Sequence, residues 1–436
     1  MRIPEKPKDM RKLLKKHEGE IFKLLRRKDI MDIVAKYNKE YIHWDEFRYK
    51  KLPSKIQPEF VWALMKIFRR EGHKFFKFGK NMFRYSLLDD ILKNVHVLDK
   101  GCAGRLESDF EFVNREGKER YIISSLMEEA IASSQLEGAA TTRKIAKEIL
   151  RLNRKPRNYS EQMIVNGYRK IQKIVRTKQK NITPEMILEL QRDITYETLE
   201  HKRDEGRFRD NNDVIVGDAI QRGKVYHIPP DYNEIPELVK EFCDFANKDN
   251  GEFMHPIIKG IILHFLIGYM HPFNDGNGRT ARSIFYWYVL TRGYWLFEYM
   301  SISRILLRSK RDYALSYLYT ETDDNDLTYF IKYNLSAIEE ALRDMELYIK
   351  RKQKEQTETL QLIKGLKNIN VRQADMLKEF TKDPEKIFFI SEIMNTYGVV
   401  YQTARSDLLH LTKMGYINKI LIKKKFGFKL ARSSKK

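Results

Sequence analysis

The chain has 436 residues, with 82 Lys and Arg against 60 Asp and Glu, a formal charge of +22, and 42% apolar residues. That length exceeds what one hydrophobic core supports, so two or three domains are expected, each with enough apolar material to fold. Cys102 and Cys243 are too few and too scattered for a disulfide framework or a zinc site, and no apolar run approaches the roughly 18 residues of a spanning helix.

The first residues, MRIPEKPKD, are charged and lack an apolar signal core, so a reduced, cytoplasmic setting without membrane contact is expected. Residues 1–115 carry helical periodicity with basic faces, for example Met10–Leu25 and Glu59–Phe68. An aromatic cluster, Tyr41–Tyr49, belongs to a core, and His43 within it reads as a structural histidine because no second ligand stands at a metal-binding spacing. Residues 121–138 place Ile122, Ile123, Leu126, Met127, Ala130 and Ile131 on one helical stripe that ends at a glycine C-cap. Ser133 and Glu137, four apart, share a face there.

Gly206–Arg209 leads into Asp213–Gly217, and Lys224–Pro229 follows a polar turn; two β-rich runs at that spacing predict a hairpin over 213–229. Ile257–Met270 and Ser283–Leu290 are apolar, helix-compatible runs, and the polar block His271–Arg282 joins them. In that block Gly276 and Gly278 permit positive φ and close backbone approach, so successive N–H groups can converge on an anion at the start of the second helix. Arg279 and Arg282 can each grip phosphate oxygens, Asp275 is a hard ligand suited to Mg²⁺, and imidazole, with an ordinary pKa of about 6.5, makes His271 a natural general base.

Further on, 347–372 turns to Lys, Gln and Glu with helical character and reads as a connecting helix. Beyond it come a short helix (Phe388–Tyr397), a turn at Gly398, a helix over Gln402–Met414, and two β-type runs, 415–422 and 426–430. This order resembles a winged helix, whose second helix would present Gln402, Thr403, Arg405 and Ser406 to a major groove. From Leu411 to Lys436 there are nine Lys or Arg and no acid, a footprint suited to a phosphate backbone, although winged helices also dock proteins.

His271–Arg282 resembles, at all nine specified positions, the Fic family signature H-P-F-x-[DE]-G-N-G-R-x-x-R, and Ser133–Gly138 is similar to the [ST]-x-x-x-E-[GN] motif of Fic proteins with an N-terminal inhibitory helix. The resemblance implies a mainly α Fic domain with a β-hairpin flap and the inhibitory helix (116–346), which with the N-terminal helical region (1–115), the connecting helix (347–372) and the winged helix-turn-helix (373–436) gives a mainly α chain. It implies transfer of AMP from ATP to a Ser, Thr or Tyr hydroxyl of a protein held on the flap. His271 would deprotonate that hydroxyl and Asp275 would hold Mg²⁺, while Asn277 and the backbone of Gly276, Gly278 and Arg279 cradle phosphates. Arg282 would grip the γ-phosphate, and Glu137, with Ser133, would occupy that place in the resting enzyme. Val214, Ile215, Val216 and Gly217 correspond to flap positions that touch nucleotide, and Tyr313 to a tyrosine framing the adenosine, in a stretch that follows the family pattern loosely. Relatives with close motifs transfer other nucleotides or phosphate, or remove AMP. A nucleotide-sensing DNA-binding regulator is the alternative from another class, and a homodimer is compatible with any of these.

Overall fold

The computed structural model describes residues 2–102, 115–177, 181–217, 224–248, 251–363, 368–422 and 425–431. The chain opens with α1 (Met10–Leu24), α2 (Lys28–Glu40), α3 (Trp44–Phe47) and α4 (Pro58–Glu71). A hairpin of β1 (His73–Phe78) and β2 (Asn81–Ser86) follows, then α5 (Asp89–Cys102). This hairpin interrupts a region expected to be helical throughout. Next come α6 (Arg115–Leu136), α7 (Arg143–Leu152), α8 (Tyr159–Thr177) and α9 (Pro184–Thr195). A second hairpin, β3 (Val216–Gly217) and β4 (Val225–His227), precedes α10 (Ile235–Asn247), α11 (Pro256–Met270) and α12 (Asn277–Thr291). After α13 (Ile302–Arg308), α14 (Lys310–Thr322) and α15 (Thr328–Ile363), the chain forms α16 (Val371–Lys382), β5 (Phe388–Phe389), α17 (Ile390–Tyr397), α18 (Tyr401–Lys413), β6 (Ile417–Ile422) and β7 (Lys425–Leu430). The fold is mainly α, as expected.

Two compact units are interleaved along the chain: residues 1–103, 177–294 and 305–339 form one, and 104–176, 295–304 and 340–436 the other.

The first unit is built around α11 and α12. Pro256 at the first turn and the His255 ring, which accepts from the Ile257 N–H at 3.2 Å, start α11. Its residues are mostly apolar, with Lys259 and His264 the exceptions, and Ile257–Ile267 is buried throughout, as a central helix must be. Gly260 lets α12 approach closely, since a Cβ there would stand 3.2 Å from Val289 Cγ1. A buried ionic cluster fastens the N-terminal helices to the turn between α14 and α15. Lys66 on α4 reaches Asp323 at 2.8 Å, and the Tyr329 and Tyr41 hydroxyls donate to Asp323 (2.9 Å) and Asp326 (2.8 Å). Arg69, also buried, lies over the Tyr41 and Trp62 rings and donates to Ile42 O at 2.9 Å.

Two histidines complete this cluster in neutral form. His43 Nδ1 accepts from the Asp45 N–H at 3.1 Å while Nε2 faces Thr322 Oγ1 at 3.2 Å, and burial lowers its pKa to about 4. The expectation of a structural histidine holds. Burial likewise lowers His73 to about 4.

In the second unit, Glu128 of α6 pairs with Arg143 (2.6 Å) and Lys147 of α7, and Glu129 accepts from the Ser303 N–H at 3.0 Å. The C-terminal module has its own core of Phe380, Phe388, Ile393, Leu408, Leu411 and Phe428. Its antiparallel sheet runs β5-β7-β6, with Phe388 opposite Phe428 and Ile417 opposite Leu430. Gly398, at φ 66°, makes the left-handed stop between α17 and α18. α17 packs against both α6 and α7.

Replacing Asp323 by Ala removes the near carboxylate of the buried Lys66 ammonium and leaves it only Asp326 at 4.0 Å, so a loss of about 3 kcal/mol in a denaturant titration is expected. Acid should act on the same cluster. The folded His43 and His73 bind protons less readily than unfolded histidine, so stability is whole above about pH 6.5 and declines as pH falls toward about 4. Burial alone would raise the Asp323 carboxyl, but Lys66 and His43 hold it well below the usual range, which extends the decline to lower pH. A denaturation midpoint that does not change between about pH 7 and about pH 4 would contradict this.

Candidate functional site

α11 ends and α12 begins within six residues, and such a junction strands carbonyls at one end and N–H groups at the other. His271 closes α11 in the left-handed region, at φ 46° and ψ 56°, with its N–H on Ile267 O. Its ring faces back, Nδ1 lying 3.2 Å from Gly268 O, which leaves Nε2 as the nitrogen directed elsewhere. Five residues on, Gly276 starts α12 at φ 86°. A side chain there is excluded twice over, by the positive φ and by Thr195 Cγ2, which would stand 2.8 Å from the added Cβ.

The carbonyls of the junction are taken up by side chains. Arg209, buried in the segment before the flap, donates Nε to His271 O at 3.0 Å, Nη1 to Asn211 O at 2.8 Å and Nη2 to Pro230 O, while its own N–H meets Pro272 O at 2.9 Å. Burial lowers its pKa, with Asp231 opposing. The Asn277 amide closes the loop on Phe273, accepting from its N–H at 3.0 Å and donating to its O at 2.7 Å. Gln191 on α9, fully buried, donates to Asp275 O at 3.2 Å and accepts from the Gly206 N–H. Phe208 stacks on Phe273 at 5.4 Å.

The N–H end of the junction is treated differently. Gly276 has no side chain, so α12 starts without a side-chain cap. An uncapped helix start presents its first N–H groups and the positive end of its dipole.

Arg279, 3% exposed, is held by Ile194 O (3.2 Å) and Asp275 Oδ2 (3.2 Å), so it braces α9 against the loop. Arg282 is also buried, and its charge adds to the burial that lowers His264 to about 3. His264 Nε2 lies 2.8 Å from the Tyr313 hydroxyl, which puts Tyr313 against α11 in the aromatic layer with Phe330 and Tyr317. The Asp275 side chain stays 43% exposed, which suits a hard oxygen donor for a cation arriving with phosphates. Among the described residues no three His, Cys, Asp or Glu form a metal-binding group.

The predicted hairpin is present, antiparallel, with Val216 opposite His227 and a bulge beside Gly217. Ile215 is half exposed, and Val214 is partly buried. Residues 218–223, within the predicted flap, lie outside the described residues. Ser133 lies in the last turn of α6 in the other unit and is partly buried; Glu137 follows in the turn just after α6 and is exposed, and Gly138 turns the chain at φ 94°.

Gln191 and His227, which position the junction, were not singled out from the sequence. Gln191 left a signal, because it continues the apolar stripe of Ile187, Leu190 and Ile194 on α9; a polar residue buried on such a stripe must be bonded to something specific. His227 left none, since its partners are 42 and 94 positions away.

Residues 181–289, from the start of α9 into α12, match the family described as the Fic/DOC family, so this part of the chain is a Fic domain. The protein adenylyltransferase Fic of Drosophila willistoni is 33% identical over 85 residues, 19% of this chain and 17% of that protein. That of Culex quinquefasciatus is 27% identical over 140 residues, 31% of this chain and 26% of that protein. The chain thus spans about a quarter or less of the curated relatives it matches. Among solved structures, a fragment of Fic-1 from C. elegans aligns at TM-score 0.52 with 16% identity, covering 74% of this chain and 85% of that one. The fold is therefore that of Fic proteins.

Arg209→Lys would keep the charge but lose the planar fork, leaving one or more of the His271, Asn211 and Pro230 carbonyls unbonded. At about 1–3 kcal/mol for each unsatisfied buried group, a loss of roughly 2 kcal/mol or more is expected in chemical denaturation, with helix content by circular dichroism unchanged.

Proposed function

We propose that this chain is a protein adenylyltransferase, moving AMP from ATP to a side-chain hydroxyl of a protein. The observation that carries the reading is the α11–α12 junction, where carbonyls are covered by Arg209, Asn277 and Gln191 while the start of α12 is left uncapped beside a buried arginine. Such a junction suits a polyphosphate, and the matched relatives carry the same activity in their names.

On this reading Gly276, Asn277, Gly278 and Arg279 cradle the α- and β-phosphates, and Arg282 meets the γ-phosphate. His271 takes the proton from the acceptor hydroxyl as its oxygen bonds to the α-phosphorus, and the bond from that phosphorus to the bridging oxygen breaks, releasing pyrophosphate. Mg²⁺, which Asp275 would hold, neutralises phosphate charge when bound. The flap, Val214 to Gly217 with 225–229, takes the target segment by strand addition. Glu137 restrains the enzyme by competing with the γ-phosphate for Arg282; this step rests on the Ser133–Gly138 motif. Tyr313, bonded to His264, contributes to the adenosine side through the aromatic layer.

The C-terminal module supports a second role, contact with duplex DNA. What supports this reading is its helix–strand–helix–helix–hairpin order with sheet order β5-β7-β6, which suits a winged helix. Gln402, Arg405 and Ser406 on α18 and Lys419 and Lys425 on the hairpin are exposed, whereas Asp407, the one acid of α18, is buried on Arg372 at 2.6 Å.

Incubation with Mg²⁺ and ATP labelled at the α-phosphate should label the chain or a target, the γ-label should not transfer, and Glu137→Gly should raise the signal by about tenfold or more, as loss of a charge-assisted pair would. His271→Ala should abolish it. Equal labelling of wild type and Glu137→Gly would remove the brake, and transfer of the γ-label would replace nucleotidyl by phosphoryl transfer. Duplex binding is expected to persist in His271→Ala, to weaken steeply with salt, and to fall in Arg405→Ala. An electrophoretic shift indifferent to salt and to Arg405 would turn the module into a protein dock.

A further inference from the structure

The flap strand β4 is fastened at one residue whose two ring nitrogens both face acceptors. His227 Nε2 lies 2.8 Å from Tyr269 O, two residues before His271, and Nδ1 lies 2.8 Å from Glu321 Oε2 on α14. A neutral imidazole carries one N–H and can donate to only one of these; the imidazolium donates to both. The side chains are little exposed, 9% for His227 and 20% for Glu321, so solvent does not replace a lost bond cheaply.

We propose that His227 is a positioning residue: as the imidazolium it ties β4 to the end of α11 and to α14, and this tie holds the flap against the segment that ends in His271. The inference deepens the transferase reading and rests on it for its consequence, whereas the tie itself is a matter of this geometry alone.

The groups around the ring are few. Burial works against its charge and the Arg209 guanidinium adds to that, but the Glu321 carboxylate and the Tyr269 carbonyl outweigh both, and the net direction is upward from the ordinary histidine value. The Tyr269 ring packs on the imidazole at 5.3 Å, and its phenol, pushed up to about 12 by burial and by Glu321, stays neutral through the range in question. With a folded pKa above the unfolded one, the tie is complete at low pH and is lost as pH rises through the folded value. Across the hairpin, His227 stands opposite Val216, so loosening β4 also loosens the strand read as touching nucleotide.

Hydrogen exchange by mass spectrometry on the full chain, followed from about pH 6 to about pH 9 and corrected for intrinsic exchange, reads the tie directly at 214–217 and 225–228. Wild type should lose about tenfold or more of its flap protection as pH rises, the effect expected of a hydrogen bond to a charged group. His227→Gln should show low protection at every pH. Glu321→Gln should keep the titration but move its midpoint to lower pH, which a merely structural side chain would not do. In parallel, α-label transfer from ATP to the chain, measured in the Glu137→Gly background, should fall with the same midpoint in wild type at 227 and lose that dependence in His227→Gln. Flap protection that ignores pH, or matches in His227→Gln and wild type, overturns the tie. A flap that loosens without any change in transfer overturns the positioning role. If Glu137→Gly transfers no AMP under any condition, it is the transferase reading that fails, and the exchange data still decide the tie.

Discussion

A chain that must end one buried helix and start another within six residues is constrained first by its backbone polar groups. Buried carbonyls without partners cost about 1–3 kcal/mol each, so the junction after α11 cannot exist unless something supplies donors. Arg209, Asn277, Gln191 and His227 do so, each from a different position in the chain. On the N–H side, Asp275 Oδ1 accepts from the Gly276 N–H at 2.5 Å, and Gly276, having no side chain, gives α12 no side-chain cap. The result is a loop whose carbonyls are bonded by side chains from several parts of the chain, while α12 begins without a side-chain cap. The phosphate-cradle role proposed for this loop draws on the same arrangement that solves the fold's own bonding problem.

Much of this was legible in the sequence, for reasons of locality. The block His271–Arg282 contains its own turn residues, base and cations within one loop, and the flanking apolar runs announce their burial by composition. The C-terminal helices and hairpin were likewise visible, since each is set by a short periodic run. Where long-range pairing decides, local reading stops. Phe388 and Phe389 read as part of a helix, yet they form β5 because Phe388 pairs with Phe428 on β7. In the N-terminal region His73–Phe78 has adjacent phenylalanines at 75 and 76, which break the alternation that marks a strand, so the β1–β2 hairpin was hidden. Arg279 shows a related limit: it matches a phosphate-gripping pattern, but its guanidinium is also held by Ile194 O and Asp275.

The buried ionic cluster gives the N-terminal helices a role that composition could not assign. Three consecutive residues at the end of α14 face three partners: Glu321 meets His227 on the flap, Thr322 meets His43, and Asp323 meets Lys66 on α4. α14 is therefore clamped on its C-terminal end by α4 and the segment before α3, while the residue before the clamp holds β4. A buried pair such as Lys66 with Asp323 contributes little net stability over an apolar alternative, because desolvation offsets most of the attraction. What it does supply is a single allowed arrangement.

The same reasoning distinguishes the two ends of the flap. At its foot, Arg209 cannot lose its proton in any ordinary condition, so the bonds to His271 O and Pro230 O are permanent. Along β4, His227 can lose one, so that attachment is conditional. A hairpin fixed permanently at its base and conditionally along one strand pivots rather than unfolds: the base keeps the loop carbonyls bonded while the strand edge is free to move. The carbonyls held by Arg209, Asn277 and Gln191 thereby stay bonded whatever the protonation of His227, and only the Tyr269 and Glu321 contacts depend on it.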